Sequence, residues 1–240
     1  MFTAISICFF YVLLIFIFTK IFGVKYTEIG KNVKNIKRGI IYPIGITTLL
    51  LTTFAISLHW VPKVFKYSPQ ISQQILLVIP IVTIISIFAR FSLLRDTLHN
   101  KKRLLFLSMA TLIVGFSEEL LVRGIAVSAL QNAGYSVILV GVFSSLIFGA
   151  LHFVNYFNGQ DIRKTATQVA GTVCMGLNFY FILILSGTLW LPILIHFLYD
   201  FSILSLGVDF TFPNSVTTKV VTVSTLLMFT LPVIGLLFLI

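Results

Sequence analysis

The sequence predicts an all-α protein, a polytopic bundle of about eight transmembrane helices. Of its 240 residues, 58% are hydrophobic and only 10% are charged, and the mean hydropathy is +1.06. These values are typical of an integral membrane protein whose polar groups are confined to loops. A helix needs about 20 apolar residues to cross the hydrocarbon core. The predicted spans are 2–19, 39–61, 71–89, 104–130, 135–153, 165–185, 189–206 and 216–240.

The loops between these spans are too short for a soluble domain. We therefore expect one membrane domain with three parts. Residues 1–103 form N-terminal membrane helices without an assigned role, residues 104–206 form a core that carries the polar motifs, and residues 207–240 form a C-terminal membrane helix. The first span is interpreted as a retained anchor, because Lys20 follows it and no small-residue cleavage site does.

The net charge of +10 indicates topology rather than a nucleic-acid partner. All Lys and Arg residues except Lys63, Lys66 and Arg123 lie in or beside odd-numbered loops. The positive-inside rule places those loops in the cytoplasm and both termini outside, in a multi-pass integral membrane protein. The basic loops would lie against anionic lipid headgroups. No basic patch with interleaved aromatic residues indicates nucleic-acid binding.

Two adjacent acids and an arginine interrupt the fourth span, in the stretch FSEELLVRG. Glu119 and Arg123 are i, i+4 neighbours and can form an ion pair along a helix. A helical projection gives this span one small and polar face, which we expect to turn into the bundle. That face comprises Ser108, Thr111, Gly115, Glu118, Glu119, Ala126 and Ala129. The opposite face, which we expect to meet lipid, comprises Phe106, Ile113, Leu120 and Leu121.

Two later spans each carry a histidine. His152 ends the motif FGALH, close to a strip of small residues formed by Gly141, Ser145 and Gly149. Small residues let helices approach closely, so we expect His152 to face the interior. In HFLYD, His196 and Asp200 are again i, i+4 neighbours, and the aspartate could fix the tautomer of the imidazole.

The cost of burying these charges limits their interpretation. Each ionised Asp, Lys or Arg at a helix centre costs roughly 2.5–3.5 kcal/mol on insertion scales. Glu118, Glu119, Arg123 and Asp200 would together cost on the order of 10 kcal/mol if unpaired. They must pair, meet water or hold a metal. A purely structural ion pair explains Glu119 and Arg123. It does not explain Glu118, because the two adjacent carboxylates have only one buried cation between them.

This set of side chains fits water-dependent hydrolysis in two ways. Glu118 could act as a general base on water, with His152 orienting that water and His196, supported by Asp200, stabilising the oxyanion. Alternatively, Glu118, His152 and His196 could bind Zn²⁺ with one position left for water. There is no H-E-x-x-H helix. The sequence leaves the metal-free and the zinc-bound mechanisms open.

The three motifs EELLVR, FGALH and HFLYD, in this order on separate spans, resemble those of the CPBP intramembrane proteases. This family includes the CAAX prenyl endopeptidases of the Rce1 type and the bacterial Abi proteins. The run GTLWLPILIH is also similar to the stretch before the last histidine of the family, and the resemblance covers about residues 115–201. It implies that Glu118 activates water with His152 as its partner. It also implies that Arg123, paired with Glu119, holds the carboxylates in place.

By the same resemblance, His196 and the residue four positions later form an oxyanion or ligand pair. Asp200 stands where the family often has asparagine. Because an aspartate donates no hydrogen bond unless it is protonated, this departure favours histidine orientation or metal binding over an oxyanion role.

The predicted function is therefore an intramembrane endopeptidase of a bacterial cell membrane that acts on a leader peptide, a bacteriocin or a membrane protein, in bacteriocin processing or self-immunity. A prenylated CAAX protein, the substrate in the eukaryotic case, is the other substrate that the resemblance implies. The alternatives are a non-catalytic immunity or scaffold protein and a small transporter or proton relay. Against the transporter, no repeated half is visible.

Two local expectations concern single positions. Along straight helices His152 and His196 would lie at different depths from Glu118. Helix tilt, span boundaries shifted by a few residues, or a new helix starting at Glu118 with Ser117 as its N-cap would relieve this mismatch. In the sixth span, Gln168 and Asn178 are expected to make interhelical hydrogen bonds.

Overall fold

The computed structural model describes residues 2–57, 74–93, 100–206 and 215–239. These ranges contain no β-strand, and eight main helices follow one another along the chain. They are α1 (Phe2–Phe22), α2 (Val33–Ser57), α3 (Gln74–Leu93), α4 (Lys101–Asn132), α5 (Val137–Leu151), α6 (Ile162–Ser186), α7 (Trp190–Leu206) and α8 (Val216–Leu239). Short helical turns at Tyr26–Glu28 and Val154–Phe157 lie in two of the connections.

Seven of the helical stretches in the described ranges are long and apolar enough to cross a membrane. The fifth of them is α5 together with the helical turn that follows it, Val137–Phe157. The remaining helix, α7, is apolar but has only 17 residues. The predicted fold class, a polytopic helical membrane bundle, is confirmed. Large apolar side chains such as Phe9, Leu49 and Leu226 are exposed on the outside of the bundle, as expected where the surrounding medium is lipid. Lys63, Lys66 and Arg95 lie outside the described residues, and the orientation of the loops stays a prediction.

Helix α4 is the centre of the bundle in its second half. It packs along α7, and its later turns contact α1, α5 and α6. Leu120 and Leu121 are buried, so the prediction that they face lipid was wrong. Neighbouring helices surround α4 on all sides at this level, and a projection of one helix does not reveal them. Phe106 and Ile113 are half-buried, and the exposed side of α4 lies in its first half, at Leu105, Met109 and Leu112.

A π-helical segment follows the two acids. The α-helical part of α4 runs from Lys101 through Glu119, and Leu120–Ala126 continues it as a π-helix. The predicted helix start at Glu118 was therefore wrong. Ser117 lies inside the helix, and its hydroxyl forms a hydrogen bond of 2.6 Å with the Tyr11 hydroxyl instead of capping. Single π-turns are frequent at functional sites because they change the direction in which side chains project.

Helices α5 and α6 pack closely along the strip of small residues. A Cβ atom on Gly141 would lie 2.7 Å from the Tyr180 ring, and one on Gly149 would lie 3.0 Å from the Val169 carbonyl oxygen. Gly176 on α6 lies just as close to Ser145. The close approach predicted for this strip is therefore observed.

The interhelical hydrogen bonds predicted for the sixth span are present at Asn178, whereas Gln168 bonds to residues in two connections. The Asn178 side chain forms hydrogen bonds with Thr83 on α3 and with the Met228 carbonyl on α8. Gln168 donates to the Tyr26 hydroxyl, which lies between α1 and α2. These bonds satisfy polar groups inside an apolar bundle, where unpaired groups are costly.

Candidate active site

Glu119 is the most enclosed acid of the predicted site. Its side chain is fully buried, and its Oε1 accepts a hydrogen bond of 3.1 Å from Arg123 Nη1. The same oxygen lies 2.9 Å from His196 Nδ1. Arg123 also donates to the Gly176 carbonyl at 3.0 Å, and its guanidinium carbon lies 4.3 Å from the centre of the Phe148 ring. The predicted pair is therefore part of a network that joins α4, α6 and α7.

Glu118, one residue earlier, is the acid left without a cation. Its Oε2 atom is buried and has no hydrogen-bond partner among the described residues. The nearest basic group is His196, whose Nε2 lies 3.9 Å from this oxygen. Glu118 also lines the large cavity described below. The Glu118 side chain is 15% exposed, so water in the cavity can reach it.

His196 lies between three carboxylates. Glu119 faces Nδ1, and a carboxylate only accepts hydrogen bonds, so Nδ1 carries a proton. Nε2 is then the nitrogen that can contact other groups. Nε2 lies 3.4 Å from Asp200 Oδ2. The ring stacks on Phe179 at 4.7 Å and meets the edge of Phe148 at 5.8 Å. These aromatic contacts fix the plane of the imidazole.

His152 is the C-cap residue of α5. Its Nδ1 lies 3.0 Å from the Phe148 carbonyl oxygen and donates to it, so Nε2 can accept a hydrogen bond. The Phe148 ring, 5.3 Å from the His152 ring, lies edge-on to both histidines. The structure thus links Glu118, Glu119, Arg123, His196 and Asp200 by close approaches, and it places His152 on the same cavity. The depth mismatch expected between Glu118 and His196 does not occur.

The cavity has a volume of about 1330 Å³, which is large enough for a peptide segment. Glu118, His152, His196 and Asp200 line one part of it. Elsewhere its wall carries four basic side chains, those of Lys31, Arg103, Arg163 and Lys164.

Two tyrosines from the N-terminal part also line this cavity, and sequence reasoning missed both. Tyr11 lies on α1 and contacts Ser117, while Tyr26 lies in the connection to α2. Burial raises the pKa of the Tyr26 phenol above its ordinary value. No local motif distinguishes these two among the eight tyrosines of the chain. Tyr11 is revealed by its contact with Ser117 on α4, and Tyr26 by its contact with Gln168 on α6.

The predicted zinc ligands Glu118, His152 and His196 do not form a metal-binding group. Among the described residues, no three or more His, Cys, Asp or Glu side chains are arranged to hold a metal ion. The Nδ1 atoms of both histidines are already engaged by protein oxygens. Such a bond from one ring nitrogen is also usual for a histidine that binds zinc through the other nitrogen, so the ring orientations suit a bound water and a metal ligand alike.

The family model described as type II CAAX prenyl endopeptidase Rce1-like matches residues 100–202. This segment is Rce1-like. The resemblance to the CPBP proteases is confirmed, and at family level it supports a CAAX-type intramembrane endopeptidase with a peptide substrate. No curated protein and no solved structure matches the chain. All six predicted site residues lie in the Rce1-like segment, whereas Tyr11 and Tyr26 lie outside it.

Proposed function

We propose that the protein is an intramembrane endopeptidase in which Glu118 activates the water that hydrolyses a peptide bond. One observation carries this proposal: the Glu118 Oε2 atom is buried and unpaired on the wall of a peptide-sized cavity, 3.9 Å from His196. A buried carboxylate without a cation needs a polar partner. Water in the cavity supplies one and is the nucleophile of the reaction.

In the proposed reaction Glu118 takes a proton from this water as the hydroxide oxygen bonds to the carbonyl carbon. The carbonyl electron pair moves to oxygen and gives a tetrahedral oxyanion. When the C–N bond breaks, Glu118 returns the proton to the leaving nitrogen, and the products are a carboxylic acid and an amine. His152 Nε2 accepts a hydrogen bond from the attacking water and orients it.

His196 is proposed to donate from Nε2 to the oxyanion whenever that nitrogen carries a proton. Glu119 holds the other side of the ring, so the direction of Nε2 is fixed. Asp200 accepts from the same nitrogen between turnovers. An aspartate serves this role because it needs only to accept, and it orients His196 rather than binding the oxyanion itself.

The physiological substrate we propose is a membrane peptide of a bacterial cell, such as a leader peptide or a bacteriocin, cleaved in processing or self-immunity. The basic side chains Lys31, Arg103, Arg163 and Lys164 on the cavity wall suit a peptide that enters from the predicted cytoplasmic side.

Glu118→Gln tests this function because it keeps the shape of the side chain and removes the base. Membrane peptides would be compared by mass spectrometry between cells with the wild type and with the variant. A peptide found only with the wild type would be incubated with the purified protein in H₂¹⁸O. We expect one ¹⁸O atom in the new carboxyl group with the wild type, and at least a hundredfold less product with Glu118→Gln.

Glu28→Gln is the matched control, because Glu28 is an exposed glutamate away from the site. It should cleave like the wild type. Full cleavage by Glu118→Gln, with the protein present at normal amounts in the membrane, would refute the role of Glu118.

The second candidate is a non-catalytic immunity or scaffold protein. The fully buried contacts among Glu119, Arg123 and His196 favour it, because a network of this kind also serves to hold three helices together. It predicts that Glu118→Gln keeps the protective phenotype, whereas loss of Arg123 abolishes it through unfolding.

A further inference from the structure

Four carboxamide side chains line the cavity beyond His152. They are Asn155, Asn158, Gln160 and Gln168, and they come from the connection between α5 and α6 and from α6 itself. A carboxamide offers both donors and acceptors without a charge. The cavity therefore has an uncharged polar wall close to the charged groups of the candidate active site.

These carboxamides are only partly used by the protein. The Asn155 amide donates to Gln168 Oε1 at 3.1 Å, and the Gln168 amide donates to the Tyr26 hydroxyl at 3.2 Å. Asn155 Oδ1 has no hydrogen-bond partner among the described residues. Each NH₂ group carries two hydrogens, so both of these amides keep a second donor. The wall thus retains free acceptors and free donors.

We infer that this carboxamide wall binds the main chain of an extended peptide. The inference rests on the proposed function, since an endopeptidase must hold its substrate unfolded across the site. An extended peptide in an apolar cavity has unpaired N–H and C=O groups, each of which is costly away from water. Asn155 and Gln168, which are hydrogen-bonded to each other on the cavity wall, provide partners for both kinds of group.

The position of the wall agrees with this role. Asn155 lies three residues after His152, in the same connection, so a peptide held there would pass beside the candidate catalytic residues. The N-terminal part of the chain anchors this connection. The Tyr26 backbone N–H donates to the Asn158 carbonyl and the Lys20 ammonium donates to the Phe157 carbonyl, both at 2.9 Å. Residues outside the Rce1-like segment therefore hold the wall in place.

Binding of a defined probe tests the inference without catalysis. The probe is a fluorescent, acetylated and amidated hexapeptide of alternating Ala and Leu, and its fully N-methylated form lacks the peptide N–H groups. Affinities would be measured with the full chain carrying Glu118→Gln, in lipid nanodiscs. We expect the N-methylated peptide to bind about tenfold more weakly, the factor expected for one or two lost hydrogen bonds.

The variant Asn155→Leu/Gln168→Leu should bind the unmethylated peptide about tenfold more weakly and should no longer distinguish the two peptides. Gln74→Leu is the control, because Gln74 is an exposed carboxamide outside the cavity. If the Glu118→Gln protein with Asn155 and Gln168 intact binds the two peptides with equal affinity, the inference is overturned. This holds whether or not the double variant folds. The proposed function fails separately, if Glu118→Gln still cleaves.

Discussion

The N-terminal helices and the Rce1-like segment contribute different things to one cavity. In residues 100–202 the site is built from ionisable groups spaced i, i+4 on α4 and α7, and most of them are deeply buried. Residues 2–57 contribute mainly uncharged side chains, with Tyr11 against Ser117 and Tyr26 against Gln168, together with Lys31 on the cavity wall. The ionisable groups that contact one another are thus concentrated in one segment, while the enclosure of the cavity depends on both.

Replacement of Arg123, a buried cation, should lower the free energy of unfolding far more than replacement of an exposed cation in the N-terminal region. Arg123→Met leaves Glu119 buried beside His196 without its arginine, and breaking a buried pair by removing one partner costs about 3–5 kcal/mol. We expect a correspondingly lower free energy of unfolding, measured by SDS titration of protein in mixed micelles. Lys34→Met changes an exposed cation in the N-terminal region and should leave the unfolding curve unchanged. Equal stability of the two variants would contradict the central role of the Arg123 network.

A methyl group added at the contact between α5 and α6 should destabilise the protein less than the loss of Arg123 does. In Gly176→Ala the new Cβ would lie 2.8 Å from the Ser145 Cα, so α5 and α6 must move apart. Overpacking of this kind costs about 1–3 kcal/mol, and the midpoint of thermal unfolding should fall. Gly45→Ala, on α2, has no neighbour within 4 Å of the new Cβ and should be neutral or stabilising. A drop of the same size in both variants would mean that α5 and α6 are not tightly packed.

The smallest effect is expected for the tyrosine that joins the two regions. Tyr11→Phe removes one hydroxyl and leaves Ser117 without its partner from α1. The loss of a neutral hydrogen bond should cost about 1 kcal/mol of unfolding free energy. Ser117→Ala in the same background should then add little, because the two hydroxyls act as a pair. Strictly additive effects in this double-mutant cycle would show that the contact between α1 and α4 contributes no coupling.

Local spacing was sufficient to predict a large part of the site. The pairs Glu119–Arg123 and His196–Asp200 follow from the helical repeat alone, and both contacts are present. The close approach at Gly141 and Gly149 follows from residue size. The membrane fold class follows from composition, since hydrophobic spans of sufficient length have few alternatives in lipid.

The contacts between distant segments were not predictable in this way. The bond between Glu119 and His196 joins residues 77 positions apart, and nothing local distinguishes it from a bond to Glu118. The π-helix at Leu120–Ala126, which directly follows the two acids, has no recognisable pattern in sequence. The burial of Leu120 and Leu121 depends on how many helices surround α4, which the periodicity of one helix does not record.

The single ring of Phe148 contacts Arg123 and both histidines. The ring itself forms no hydrogen bond, so each imidazole takes its orientation from a different oxygen, His152 from the Phe148 carbonyl and His196 from the Glu119 carboxylate. Truncation of this one side chain would therefore remove packing from residues on three helices at once.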